Sequence, residues 1–390
     1  MNNICIQYCM DLIRCLIQEK PIPDMPEGVV PEELYTFAKL HSVEAMVWHG
    51  LEQLDLDENN PVWKNWRSRA DMLLTQSMVQ LAERDILFAR LPSVGISILP
   101  VKGCWLKEQY PEIDYRQMSD LDFLLHPEDR EQAEDMMLQM GYTNDSHGAD
   151  NHAEFIKPPY MGVELHHALL PLNDEHSSYY EDIWERVVPA DGYSRVFRLK
   201  PEDEYIFYFV HLYKHVFYAG TGIRSFMDSL VYRRIWPDMN RDYLQKELEK
   251  LNLTDFAQFV ETVTDCWFET GTPVPAEMAA MADSVLASGT YGTDRARIRN
   301  EISRISGNIR NPYAAKFIYL LSRLFLPLRL MQPLYPVLNK APVLLPVFWV
   351  WRLLSRLLFR PKALTNLIKH TNEEGDKLWS EDDWQEFRSK

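Results

Sequence analysis

The 390-residue sequence is poor in cysteine, with only Cys5, Cys9, Cys15, Cys104 and Cys266. An odd, scattered set without a CxxC pair excludes a disulfide framework. It predicts a cytoplasmic, reducing environment. Long apolar runs are missing too. Crossing a bilayer takes roughly 20 apolar residues. The nearest candidate, 341–351, is shorter and contains Pro342 and Pro346, so it reads as a buried segment or a surface-lying helix. The N-terminal stretch has no basic residue before its apolar part, and Asp11 and Arg14 interrupt that part. It reads as an amphipathic helix, not a signal peptide. There is no internal repeat and no low-complexity tract.

Positive charge is scarce overall but locally dense. The net charge of −16 disfavours nucleic-acid binding by the whole surface. From Asp294 to Lys369, however, fourteen basic residues face only two acids, Asp294 and Glu301. This asymmetry predicts that residues 294–370 contact a membrane surface or an anionic polymer, without a transmembrane span.

The pattern along the chain alternates between helical and mixed texture. Apolar residues at helical spacing run through the first ninety residues, and Pro31 opens one helix. A long helix is predicted from Val62 to Leu91, with Met72, Leu73, Met78, Leu81 and Leu87 as its apolar stripe. After Pro92 the segments SVGISILPV, LDFLL, HAEFIKP and GVELHHALL read as strands. A short helix after Gly103 and another opened by Pro127 and ended by Gly141 lie between them. Helices return after Pro201. Seven prolines beyond Asn311 argue against long straight helices there, and the last residues read as a polar tail. The predicted fold is α+β, a small mixed β-sheet core flanked by N-terminal and C-terminal helical regions. Its expected parts are a helical region at 1–93, an α/β core at 94–200, a helical domain closing the cleft at 201–310, and a basic, proline-interrupted region with its tail at 311–390.

The chemistry concentrates around Asp120 and Asp122. Residues two apart on a strand share a face, so both carboxylates converge while Leu121 and Phe123 point to the core. Adjacent carboxylates repel unless they share a cation, and Mg2+ takes oxygen ligands while leaving positions for phosphates. Glu164, flanked by apolar residues on a later strand, supplies a third acid. Three such acids suit ions that clamp an attacking oxygen and a phosphorus centre. Lys102 and Gly103 end the first strand and open a helix, a turn that favours phosphate. Arg116 and Ser119 are placed to assist with phosphate or to anchor the loop.

Several residues have two readings. Arg224 and Asp228, four apart on a helix, form a simple ion pair or line the cleft. His211 and His215 share the i, i+4 spacing of a zinc pair, but no HExxH motif accompanies them, so they read as cleft-lining or core histidines. Either His166 or His167 could stand near the metal site.

These stretches together resemble the polymerase-β-type nucleotidyltransferase superfamily, and more closely its uncharacterised nucleotidyltransferase family. The resemblance rests on Leu99-Pro-Val-Lys-Gly103, Tyr110-Pro111, Arg116 through Leu125, Gly141-Tyr142, and Val163-Glu-Leu-His-His167. His211 through His215 and Gly222 through Asp228 also fit. It implies Asp120, Asp122 and Glu164 as catalytic metal ligands for Mg2+ or Mn2+. It implies transfer of a nucleoside monophosphate from an NTP to an acceptor. One departure stands out: Cys104 follows Gly103, where the superfamily usually has Ser or Gly. A catalytically inactive scaffold and a DxD glycosyltransferase using a nucleotide sugar are the alternatives. The helical region before the DxD leaves no room for the longer Rossmann-like unit that a glycosyltransferase needs.

Overall fold

Several helices begin where the sequence offers a proline or a capping side chain. The computed structural model describes residues 3–146, 151–171, 174–290, 302, 312–332 and 334–359. After α1 (Asn3–Ile17), Pro31 starts α2 (Pro31–Leu40), at a position where a missing N–H costs nothing. A short α3 (Glu44–Leu51) leads to α4 (Pro61–Ser93), whose Asn60 cap accepts from the Val62 N–H at 2.8 Å.

The buried stripe of α4 differs from the expected one. Leu73 and Leu87 lie on it, but Met78 is exposed, and Ser77, Gln80 and Arg84 take the central positions. The reason is local: the loop beneath α4 presents backbone carbonyls that an apolar stripe would leave unpaired. Arg84 donates to the Cys104 carbonyl at 2.9 Å and Gln80 to the Met118 carbonyl at 3.0 Å.

The α/β core is a five-stranded sheet in the order β1-β2-β5-β4-β3. Its strands are β1 (Ile98–Val101), β2 (Leu121–Leu125), β3 (Thr143–Asn144), β4 (His152–Lys157) and β5 (Met161–His166). Between β1 and β2 lies a single helical turn, α5 (Gly103–Leu106), and between β2 and β3 lies α6 (Arg130–Gln139). The β2–β5 pair is parallel, while β1–β2, β5–β4 and β4–β3 are antiparallel. One face packs the core: Leu121, Phe123, Ala153, Phe155, Val163 and Leu165 meet Leu87, Phe88 and Leu91 of α4 and Ala133 and Met137 of α6. The period of two then sends Asp122, Glu164 and His166 to the other face. A two-stranded hairpin, β6 (Val187–Pro189) and β7 (Phe197–Leu199), follows. Next come α7 (Pro201–Lys214), α8 (Ile223–Ile235), α9 (Arg241–Lys250), α10 (Thr254–Thr264) and α11 (Ala276–Ser288).

The chain divides into two compact units, Met1–Tyr213 with Gly222–Thr290, and Lys214–Thr221 with Tyr291–Lys390. Helices Pro312–Leu324 and Leu345–Phe359 of the second unit are joined by short turns at its prolines. Among the described residues no helix is long and apolar enough to cross a membrane. Of the basic stretch, 294–301, 303–311 and 360–369 lie outside the described residues, as does the C-terminal tail.

Candidate functional site

The polar face of the sheet is assembled by register. Asp122 stands directly opposite Glu164 across the parallel ladder, and Glu164 stands opposite Glu154 across the antiparallel one. His166 pairs with His152 in the neighbouring row. Opposed residues on adjacent strands point the same way, so these side chains share one face. Asp120 joins them at the entrance to β2, where Gly162 makes room for it. A Cβ at Gly162 would lie 3.1 Å from the Ser119 carbonyl and 3.4 Å from the Asp120 Cβ.

Like charges placed opposite one another need compensation. The Lys102 Nζ lies 2.7 Å from Asp122 Oδ1. The His166 Nε2 lies 3.0 Å from the same oxygen and 3.0 Å from Glu164 Oε2. Burial alone would raise the Asp122 pKa, but Lys102 and His166 outweigh it and hold the carboxyl well below the usual range. The two cations respond in kind. Burial pulls the Lys102 ammonium down, yet Asp122 and Asp120 leave it above its ordinary value. Burial likewise opposes the charged His166, yet its bonds to Asp122 and Glu164 win.

Asp120 is left over. Burial and then Asp122 push its carboxyl up to about 6, with Lys102 and a bond from Ser119 only partly offsetting them. The sheet face thus carries more acid than its own cations neutralise, which is the condition a divalent ion relieves. The donor chemistry fits such an ion. Asp120, Asp122 and Glu164 offer oxygens, and His152, Glu164 and His166 offer ligand atoms within 4.8 Å of one another. The buried His166 Nδ1 also has no hydrogen-bond partner among the described residues.

The loop before Asp120 is fixed by three consecutive backbone carbonyls, each captured by a buried or half-buried side chain. Lys107 donates to the Arg116 carbonyl at 2.9 Å, Arg224 to that of Gln117, and Gln80 to that of Met118. The Arg116 side chain itself is held by Asp228, through Nε at 2.8 Å and Nη2 at 2.9 Å, and Tyr110 Oη donates to Asp228 at 2.6 Å. Such a planar, two-bond pair is what the guanidinium is shaped for. Asp228 therefore pairs with Arg116 and not with Arg224, its i−4 neighbour. This explains why the stretches around Tyr110, Arg116 and Gly222–Asp228 belong together: α8 clamps the loop that aims the aspartates.

The turn at Lys102 departs from a phosphate loop. Lys102 has φ of 56°, a left-handed conformation that a non-glycine residue adopts at a cost. Gly103 is buried, and a Cβ there would collide with Met118 Sδ and the Arg116 guanidinium. Its glycine serves packing against the loop. The Cys104 Sγ donates to the Asp122 carbonyl at 3.5 Å, and burial followed by Asp122 pushes its thiol up to about 12, so it is inert.

Asp120, Asp122, Glu164, Lys102, Ser119 and His166 therefore come together. Arg116, Arg224 and Asp228 form the clamp. His211 lies on α7 with its ring 6.1 Å from Phe207, and His215 opens a π-helical turn in the second unit. His167 donates its backbone N–H to the Asn151 carbonyl. Sequence reasoning passed over His152, Glu154 and Lys107. The alternation of HAEFIK puts His152 and Glu154 on one face, but only the pairing of β4 with β5 shows which face.

Residues 27–269, well over half the chain, match the family described as uncharacterised nucleotidyltransferase. No curated protein and no solved structure matches the chain.

Proposed function

The chain belongs to the uncharacterised nucleotidyltransferase family, and from that premise we propose that its sheet face transfers a nucleoside monophosphate from an NTP to an acceptor hydroxyl. The observation that carries this reading is the opposition of Asp122 and Glu164 on adjacent strands, with Asp120 beside them and short of positive charge. Asp120, Asp122 and Glu164 would hold Mg2+ or Mn2+. When bound, the ion supplies charge neutralisation and alignment of the phosphates.

The remaining work falls to this chain's own groups. Glu164, partly accessible, accepts the proton of the acceptor hydroxyl at Oε1, the oxygen that does not meet His166. The hydroxyl oxygen bonds to the α-phosphorus as the bond to pyrophosphate breaks. His166, bonded to both Asp122 and Glu164, orients these carboxylates. Lys102 brings the nearest ammonium for the triphosphate, and Ser119 holds Asp120 in place. The clamp of Arg116 and Asp228 keeps the loop rigid, which is how a positioned site lowers a barrier.

One observation favours a second reading, binding without transfer. Gly103 is closed over by Met118 and Arg116, and Lys102 is committed to Asp122. One experiment separates the two. Radiolabelled NTPs with Mg2+ or Mn2+ should label an acceptor in a lysate, and the double variant Asp120→Ala/Asp122→Ala should abolish the label. A metal- and NTP-dependent rise in melting temperature without any label would support binding alone.

A further inference from the structure

Helix Leu345–Phe359 is amphipathic in the wrong sense for a helix facing water. Its inner side is tied into the second unit: Trp349 Nε1 donates to the Leu326 carbonyl at 2.7 Å and Arg352 to the Leu324 carbonyl at 3.3 Å. The Trp349 ring lies 5.3 Å from Phe325, and Phe348 lies 4.8 Å from Tyr335. Its outer side carries Val347, Val350, Trp351 and Leu354, exposed by 61, 57, 59 and 50%. These positions follow the spacing i, i+3, i+4, i+7 and span an arc of about 100°. An exposed, contiguous apolar stripe on an otherwise packed helix marks an interaction surface.

The composition of this segment says what covers the stripe. Residues 312–359 hold no acid, and besides the buried Arg352 they hold five basic residues, Lys316, Arg323, Arg329, Lys340 and Arg356. A second copy of this segment would bring like charge against like. An anionic polymer would meet the charge but has nothing to bury four apolar side chains. An anionic bilayer answers both, because its headgroups attract cations and its acyl boundary takes up the stripe. Tryptophan at the edge of such a stripe suits the headgroup level. We propose that the Leu345–Phe359 helix docks this protein on the surface of an anionic membrane, lying in the interface without spanning it. The inference stands apart from whatever reaction the sheet performs.

The test is flotation of the full-length protein with phosphatidylglycerol–phosphatidylcholine vesicles, and with phosphatidylcholine vesicles alone. The protein should float with the anionic vesicles and much less with the neutral ones. Changing Val347, Val350, Trp351 and Leu354 together to serine should lower partitioning about a hundredfold, since each residue buries enough apolar area to matter. The melting temperature of that variant reports its fold, and Trp351→Ser alone should give a smaller, graded loss. Three results overturn the proposal: wild type that stays down with anionic vesicles, flotation unchanged in the serine variant, or a vesicle-free dimer that the serine variant dissociates. RNA binding that survives the serine changes, with no flotation, would point to the polymer instead.

Discussion

The amine of Lys107 donates to the backbone carbonyl of Arg116 at 2.9 Å, deep beneath the loop that carries Asp120. Its other bond goes to Ser77 Oγ at 2.9 Å, so a helix, a turn and a loop are joined through one nitrogen. Burial, then Arg116 and Arg224, pull this lysine down to about 7. An unfolded lysine titrates near 10.4. Between those values the unfolded chain binds more protons, so stability rises with pH, and below about 7 the full cost of the buried charge is present. Urea melts of wild type and Lys107→Met across pH 6 to 10 isolate this group. The difference should move in favour of wild type as pH rises, by on the order of 3 kcal/mol. A flat difference would show that Lys107 is not buried as a strained cation.

Removing one partner of the Arg116–Asp228 pair leaves a buried charge alone. Arg116→Ala and Asp228→Ala should each cost about 3–5 kcal/mol, and an apolar replacement of both, Arg116→Met with Asp228→Leu, should cost less than either. Chemical denaturation of the three variants checks the order. Single variants that lose under 1 kcal/mol would mean that the clamp does not hold the loop.

Much of this fold was legible in the sequence, for identifiable reasons. Strand β2 covers the LDFLL segment, because its apolar residues alternate with Asp122 against a packed core. Proline marked the start of α2, and Gly141, with φ of +85°, marked the end of α6. Local chemistry fixes such features. The two-residue β3 escaped because both its residues are exposed and carry no periodicity. The Arg116–Asp228 pair escaped because its partners lie 112 residues apart, while Arg224 offered a nearer partner by helical spacing alone. The sequence does offer Glu164 and one of His166 and His167 as partners of the aspartates, but the register that sets Asp122 opposite Glu164 depends on a parallel crossover that no short window encodes.

Asp120 gives a second pH signature. Its folded carboxyl titrates up at about 6, so between roughly 4 and 6 the folded state binds more protons than the unfolded one. Stability therefore falls as pH rises through that window, and above it the cost is complete. Asp120→Asn should stabilise the metal-free protein by about 1–2 kcal/mol at pH 7.5 and by little at pH 4. Differential scanning calorimetry in a chelator decides this. A variant less stable than wild type at pH 7.5 would remove the argument from uncompensated charge.

Gly162 lets Asp120 approach β5. A methyl group there presses on the Ser119 carbonyl and the Asp120 Cβ. In Gly162→Ala, Mn2+ affinity by isothermal titration should drop about tenfold, the scale seen when ligand-supporting groups are disturbed, with a small loss of melting temperature. Unchanged affinity would separate Asp120 from the ion.

The most direct measurement is a crystal soaked in Mn2+ and a non-hydrolysable NTP, with anomalous diffraction at the manganese edge. The account predicts a peak bonded to carboxylate oxygens of Asp120, Asp122 and Glu164, with the Lys102 ammonium displaced from Asp122 toward phosphate. An empty carboxylate cluster at saturating Mn2+, with Lys102 still on Asp122, would contradict it.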